Sequence, residues 1–144
     1  MAIVIDKEGL EQLRAGRPVQ SQDVHELLHE AQRAVRDGEL VQAESMLQEA
    51  LLVDPNRASV WSLVGAVEDE LGDVTTARSA YRYALSLADD DHTALALARL
   101  HASVGEWDDA VAVATDLALA GHSEDLRQAA TRLAHDANAR KVVQ

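Results

Sequence analysis

Apolar side chains recur at helical spacing along most of the chain, and short polar turns interrupt them at regular intervals. From Asp23 the pattern predicts a helix to about Arg36, with Asp23 as N-cap and Glu26, three residues on, as its capping-box partner. Asp37-Gly38 stops it, because Gly accepts the left-handed conformation that helix C-termini favour. A second helix is expected over Leu40–Val53, where Ala43, Leu47, Ala50 and Leu51 form one stripe and Pro55 ends the run. The plan recurs over about Ala58–Leu71 and Val74–Leu87 around Gly72, then over His92–Val104 and Trp107–Ala120, with Gly105 between them and Gly121 at the end. Asp89-Asp90-Asp91 is expected to cap the fifth helix and Ser123 a seventh. That last helix carries Glu124 and Asp125 at its positive end and Arg140 and Lys141 at its negative end. Its Leu126, Ala129, Ala130, Leu133 and Ala137 form a stripe able to cover an exposed final hairpin.

Two stretches of this pattern are copies of one another. Gly38, Ala43, Leu47 and Ala50 are followed 34 residues later by Gly72, Ala77, Tyr81 and Ala84. Such a period marks stacked helical hairpins, since one hairpin cannot bury its apolar face alone. Gly72 and Gly105 are 33 residues apart, and Leu97-Ala98 keep their phase to Gly105, so the lost residue is placed in the Asp89–Asp91 turn. The expected fold is all-α, a right-handed superhelical stack of antiparallel hairpins. Residues 1–21 form an N-terminal segment, 22–122 three hairpins, and 123–144 a capping helix and tail. In the N-terminal segment, Leu10 and Leu13 fit a short helix ending near Gly16, a flexible leader or a docking segment, with Pro18 interrupting the chain.

Composition narrows the chemistry. The chain is 47% apolar but only 3% aromatic, without Phe, so its core must come from Ala, Leu and Val on closely approaching helices. Twenty-five acidic against 13 basic side chains give a net charge of −12. That surface repels phosphate backbones and anionic lipid, so neither nucleic acid nor membrane insertion is expected. No Cys is present, which removes disulfides, thiolate nucleophiles and thiolate metal sites. Asp6, Lys7 and Glu8 follow Met1-Ala2-Ile3-Val4-Ile5 too early for a signal-peptide core, and a cytoplasmic protein is expected.

The residues resemble the tetratricopeptide repeat family over about Val24–Gly121. In the second repeat Trp61, Val64-Gly65, Gly72, Ala77, Tyr81 and Ala84 match the family's Trp, aliphatic-small pair, turn Gly, small Ala and large residue. The first matches through Leu27, Ala31, Gly38, Ala43, Leu47, Ala50 and Pro55; the third through Ala98, Gly105, Trp107 and Ala110, with Ala114 replacing the large residue. Small Ala43, Ala77 and Ala110 would let helices approach, and Tyr81 and Leu47 would fill the gap between hairpins. The resemblance implies a concave groove lined by the first helix of each hairpin. Carried over by position, its lining is His25, Leu28, His29, Gln32 and Arg36; then Ser59, Ser62, Leu63, Ala66, Asp69 and Glu70; then His92, Leu95, Ala96, Arg99 and Ser103. Members that hold heat-shock chaperone tails clamp them with Lys, Asn and Arg, where this chain has Leu28, Gln32, Ser62, Leu63 and Ala66. Small and aliphatic walls suit a peptide with apolar anchors instead.

One motif points elsewhere. His25-Glu26-Leu27-Leu28-His29 has the H-E-x-x-H spacing that puts two imidazoles on one helical face for Zn²⁺, with a Glu to polarise its water. Against it, Leu27 falls in the packing seam, both His stand on the groove rim, and the third-ligand candidate Glu44 lies on the next helix of the same hairpin. His92, His101, His122 and His135 are scattered, and no phosphate loop or nucleophile elbow is present. The expectation is a non-enzymatic module without cofactor or metal that binds a protein or peptide segment, homo-oligomer formation remaining open. A more specific alternative is a chaperone of the type III secretion kind, since those proteins are similarly short and acidic, with three such repeats, and hold hydrophobic export substrates. A zinc metallopeptidase is the third reading.

Overall fold

The computed structural model describes residues 21–143, which form α1 (Ser21–Arg36), α2 (Leu40–Val53), α3 (Ala58–Leu71), α4 (Val74–Leu87), α5 (Asp91–Ser103), α6 (Trp107–Ala120) and α7 (Glu124–Val143). The expectations for Leu10, Leu13 and the rest of the N-terminal segment up to residue 20 lie outside the described residues.

Each hairpin turns in the same way. Gly38, Gly72 and Gly105 have φ of +78°, +88° and +77°. At Gly72 its own N–H donates to the Asp69 carbonyl (3.1 Å) and the next N–H, of Asp73, reaches back to Glu68 (2.9 Å). Gly38 with Glu39, and Gly105 with Glu106, repeat both bonds. This double bond satisfies carbonyls that a helix end would otherwise leave open. No atom lies within 4 Å of a Cβ built on Gly72, so the demand for glycine there is purely one of backbone conformation.

Helix starts differ in part from the sequence expectation. Since α1 already runs from Ser21, Asp23 sits in its first turn and is not its cap. Of the three successive aspartates, Asp90 caps α5, accepting from the Thr93 N–H (3.2 Å) and hydroxyl. Asp73 does the same for α4, accepting from the Thr76 N–H (3.1 Å) and hydroxyl (2.8 Å). Residues 54–57 separate α2 from α3, whereas 88–90 separate α4 from α5, so the missing residue falls in that turn.

The chain divides into two compact units, α1–α4 and α5–α7, with the boundary between the second and third hairpins. In the first, α2 packs on α1 and α3, and α3 packs on α4. Ala31, Ala43, Leu47, Ala50, Leu51, Val60, Trp61, Val64, Val67, Ala80 and Ala84 make its core. Burying each large aliphatic side chain contributes about 1.5–3 kcal/mol. Tyr81 packs across its own hairpin on Gly65, where a Cβ would stand 2.6 Å from the Tyr81 Cδ1 and Cε1. Trp61 donates its indole N–H to the Pro55 carbonyl (2.7 Å) and meets the Tyr83 ring edge-on at 4.9 Å. The Tyr83 hydroxyl in turn donates to Asn56 (2.8 Å), so two aromatic residues fasten the α2–α3 turn.

In the second unit α7 packs on α6 and also reaches α5. Leu95, Ala98, Ala114, Leu117 and Ala130 are buried there, with Leu126, Ala129 and Leu133 against them. Ser123 caps α7 through its hydroxyl, which accepts from the Leu126 N–H (3.4 Å). Asp91 tethers the start of that helix by accepting from the backbone N–H of His122 (2.6 Å) and Ser123 (2.9 Å). Among the described residues, no helix is long and apolar enough to cross a membrane.

Candidate functional site

The first helices of the hairpins place the expected lining residues unevenly. On α1 and α3, which touch each other, Leu28, Ser62, Leu63 and Ala66 are half-buried, while His25, His29, Gln32, Arg36, Ser59, Asp69 and Glu70 are exposed. Leu28 and Leu63 rest on the first unit's core, so a strip of small and aliphatic surface runs between polar edges. The acidic end of that strip acts on a neighbour. Burial first, then the charges of Asp69 and Glu70, push the Tyr81 hydroxyl up to about 12.

On α5, His92, Arg99 and Ser103 are exposed and Ala96 half-buried, but Leu95 is only 4% exposed. Leu95 belongs to the second unit's core, not to a binding face. One residue of helical phase decides this, because Leu95 and Ala98 lie on the same face and Ala98 is fully buried. Arg99, Ala102, Ser103, Gly105 and Trp107 join Leu133, Asp136, Ala137 and Arg140 of α7 around a cleft of about 550 Å³. The Arg140 guanidinium lies 5.8 Å from the centre of the Trp107 ring, within cation–π range. Trp107 and Arg140 were not visible as site residues from the sequence, where 33 positions separate them.

His25 and His29 line a shallow hollow of about 370 Å³ with Glu26, Glu30 and Arg33, all on α1. Arg57 donates to the His25 Nε2 (3.4 Å) and thus brings a fixed cation to the nitrogen a zinc ion would need. The two histidines do not form part of a three-ligand group among the described residues. His101, Glu106 and Asp109 do, at the α5–α6 turn, with their ligand atoms within 4.8 Å of one another. His101 is buried, its Nδ1 3.4 Å from Glu106 Oε1, which gives it a structural partner already. The backbone N–H of Ser123, more than that of His122, holds the Asp91 carboxyl below the usual carboxylate range. Asp91 is thereby committed to fastening α7.

Paired helices closed by glycine turns, with small buried residues between them, define an all-α stack of antiparallel helical hairpins with a tetratricopeptide-like fold. No family model matches the sequence, and no curated protein matches it. Solved structures do match its fold. A type III secretion complex from Aeromonas hydrophila is similar at a TM-score of 0.80 and 17% identity, covering 88% of this chain and 87% of that one. PcrH of Pseudomonas aeruginosa, in complex with the chaperone-binding region of PopD, gives 0.77 and 20% identity over 87% and 98%. The first tetratricopeptide repeat domain of Spaghetti (RPAP3), bound to an HSP90 peptide, gives 0.70 and 13% over 82% and 95%. At these identities the likeness is one of fold.

Proposed function

We propose that this protein is a non-enzymatic recognition module that holds an apolar segment of a partner protein, in the manner of a chaperone or adaptor. The half-buried strip of Leu28, Ser62, Leu63 and Ala66 between polar edges carries the reading. It offers apolar contact without side chains long enough to fill it, and preordered helices lower the entropy cost of holding a guest. The fold it shares with peptide-bound proteins supports the same conclusion. The more specific form, a chaperone of the type III secretion kind for a hydrophobic export substrate, is favoured by the likeness to PcrH, whose complex contains the chaperone-binding region of PopD. The cation that Arg57 sets against His25 speaks against the metallopeptidase reading.

Fluorescence anisotropy with a labelled extended peptide bearing two leucine anchors tests the proposal. Ser62→Arg and Ala66→Arg are expected to weaken binding about tenfold or more, the equivalent of about 1.4 kcal/mol, with circular dichroism unchanged. Unaltered affinity in both variants would move the binding surface away from α3.

A further inference from the structure

The cleft between α5, the α5–α6 turn and α7 has a charge of its own in a chain of net charge −12. Two arginines, Arg99 and Arg140, and one carboxylate, Asp136, line it. Neither arginine has an ion pair or hydrogen bond with any described residue, Asp136 included; Arg140 has only its contact with Trp107. A guanidinium stacked on an aromatic face keeps its N–H edge available for a carboxylate. Trp107, whose buried Nε1 has no hydrogen-bond partner among the described residues, belongs to the same lining. Half-buried Leu133 and Ala102 supply apolar wall beside these donors. In a chain of net charge −12, two arginines against one carboxylate make this hollow locally cationic.

From this we infer that the cleft binds a glutamate or aspartate side chain of the guest peptide, next to an apolar residue resting on Leu133 and Ala102. The inference rests on the peptide-binding reading above and adds the chemistry of a second anchor. The carboxylate is held by charge-assisted bonds from Arg99 and Arg140, the pair of donors that planar carboxylates match best. The occupant is a peptide and not free anion, because the apolar wall contributes only to a ligand that carries apolar surface.

Two fluorescein-labelled peptides test this on the full chain, one with a single Glu beside two Leu and one with Gln in its place. The Glu peptide is expected to bind about tenfold tighter at low salt, as charge-assisted hydrogen bonds require. Arg99→Gln and Arg140→Gln should each remove most of that preference while leaving the Gln peptide unaffected. The indole N–H resonance of Trp107, assigned with Trp107→Phe, should move when the Glu peptide is added. Equal affinity for the two peptides, or a preference that survives both substitutions, overturns the inference and leaves the groove reading standing. Binding of neither peptide overturns both. Complete release of the Glu peptide by inorganic phosphate would define an anion site indifferent to peptide, and would likewise contradict it.

Discussion

Gly65 offers the sharpest test of how these hairpins are held together. A Cβ at this position would sit 2.6 Å from Cδ1 and Cε1 of Tyr81 and 2.9 Å from Cγ. Ordinary carbon contacts are about 3.5–4.0 Å, so the overlap is close to 1 Å. The obstructing atoms are the flank of a rigid ring that is 4% exposed and cannot swing into solvent. Overpacking of this kind costs about 1–3 kcal/mol, and replacing a helical Gly with Ala returns about 1 kcal/mol of propensity. Gly65→Ala should therefore destabilise the first unit by about 1 kcal/mol, and Gly65→Leu by more. The first repeat shows the alternative solution, with Ala31 and Leu47, both fully buried, where the second has Gly65 and Tyr81. In a Tyr81→Leu background, itself costing about 2 kcal/mol through lost volume, Gly65→Ala should reverse sign and stabilise by about 1 kcal/mol, a coupling of about 2 kcal/mol. Urea unfolding followed by Trp61 fluorescence in Trp107→Phe protein isolates the unit concerned. If Gly65→Ala is no less stable than the parent, or its effect is the same in both backgrounds, the close approach argued here is wrong.

Three further outcomes are expected. Gly72→Ala meets no atom within 4 Å but forces a non-glycine residue to φ +88°, and should cost about 1–2 kcal/mol of purely conformational energy, measurable by the same unfolding curves. Tyr81 titrates near 10.0 when unfolded and about 12 when folded, so the unfolded chain releases its proton first. Stability is then fully present below pH 10 and is lost as pH rises toward 12; Tyr81→Phe should flatten that part of the profile. Glu44 is buried on α2 with neither carboxylate oxygen hydrogen-bonded among the described residues, and Glu44→Met should raise stability by about 1 kcal/mol or more in urea unfolding, whereas a loss would mean that the carboxylate is paired.

Much of the fold is legible in the sequence because it is repetitive. Each of Gly38, Gly72 and Gly105 performs the same local act, and the apolar stripes need only nearest neighbours to be read. Ala43, Ala77 and Ala110, each fully buried, show why the small residues recur. The candidate site is less legible because it depends on phase and on distant pairs. Leu95 differs from Ala96 by a single helical step, which carries it into the core. Asp90 and Asp91 are neighbours of one type, yet one caps its own helix and the other holds α7 across 31 and 32 residues. The Arg140–Trp107 contact and the Arg57–His25 bond likewise join residues that only the packing of helices brings together. Buried Glu44 breaks the expectation that charged residues lie outside, and nothing in its neighbours along the chain announces it.

Chemical-shift mapping of ¹⁵N-labelled protein titrated with the two-leucine peptide decides whether the first-helix faces receive a guest segment. The largest shifts are expected on Leu28, Ser62, Leu63 and Ala66, the half-buried strip of α1 and α3. Shifts confined to the outer faces of α2 and α4, or none at saturating peptide, would contradict it.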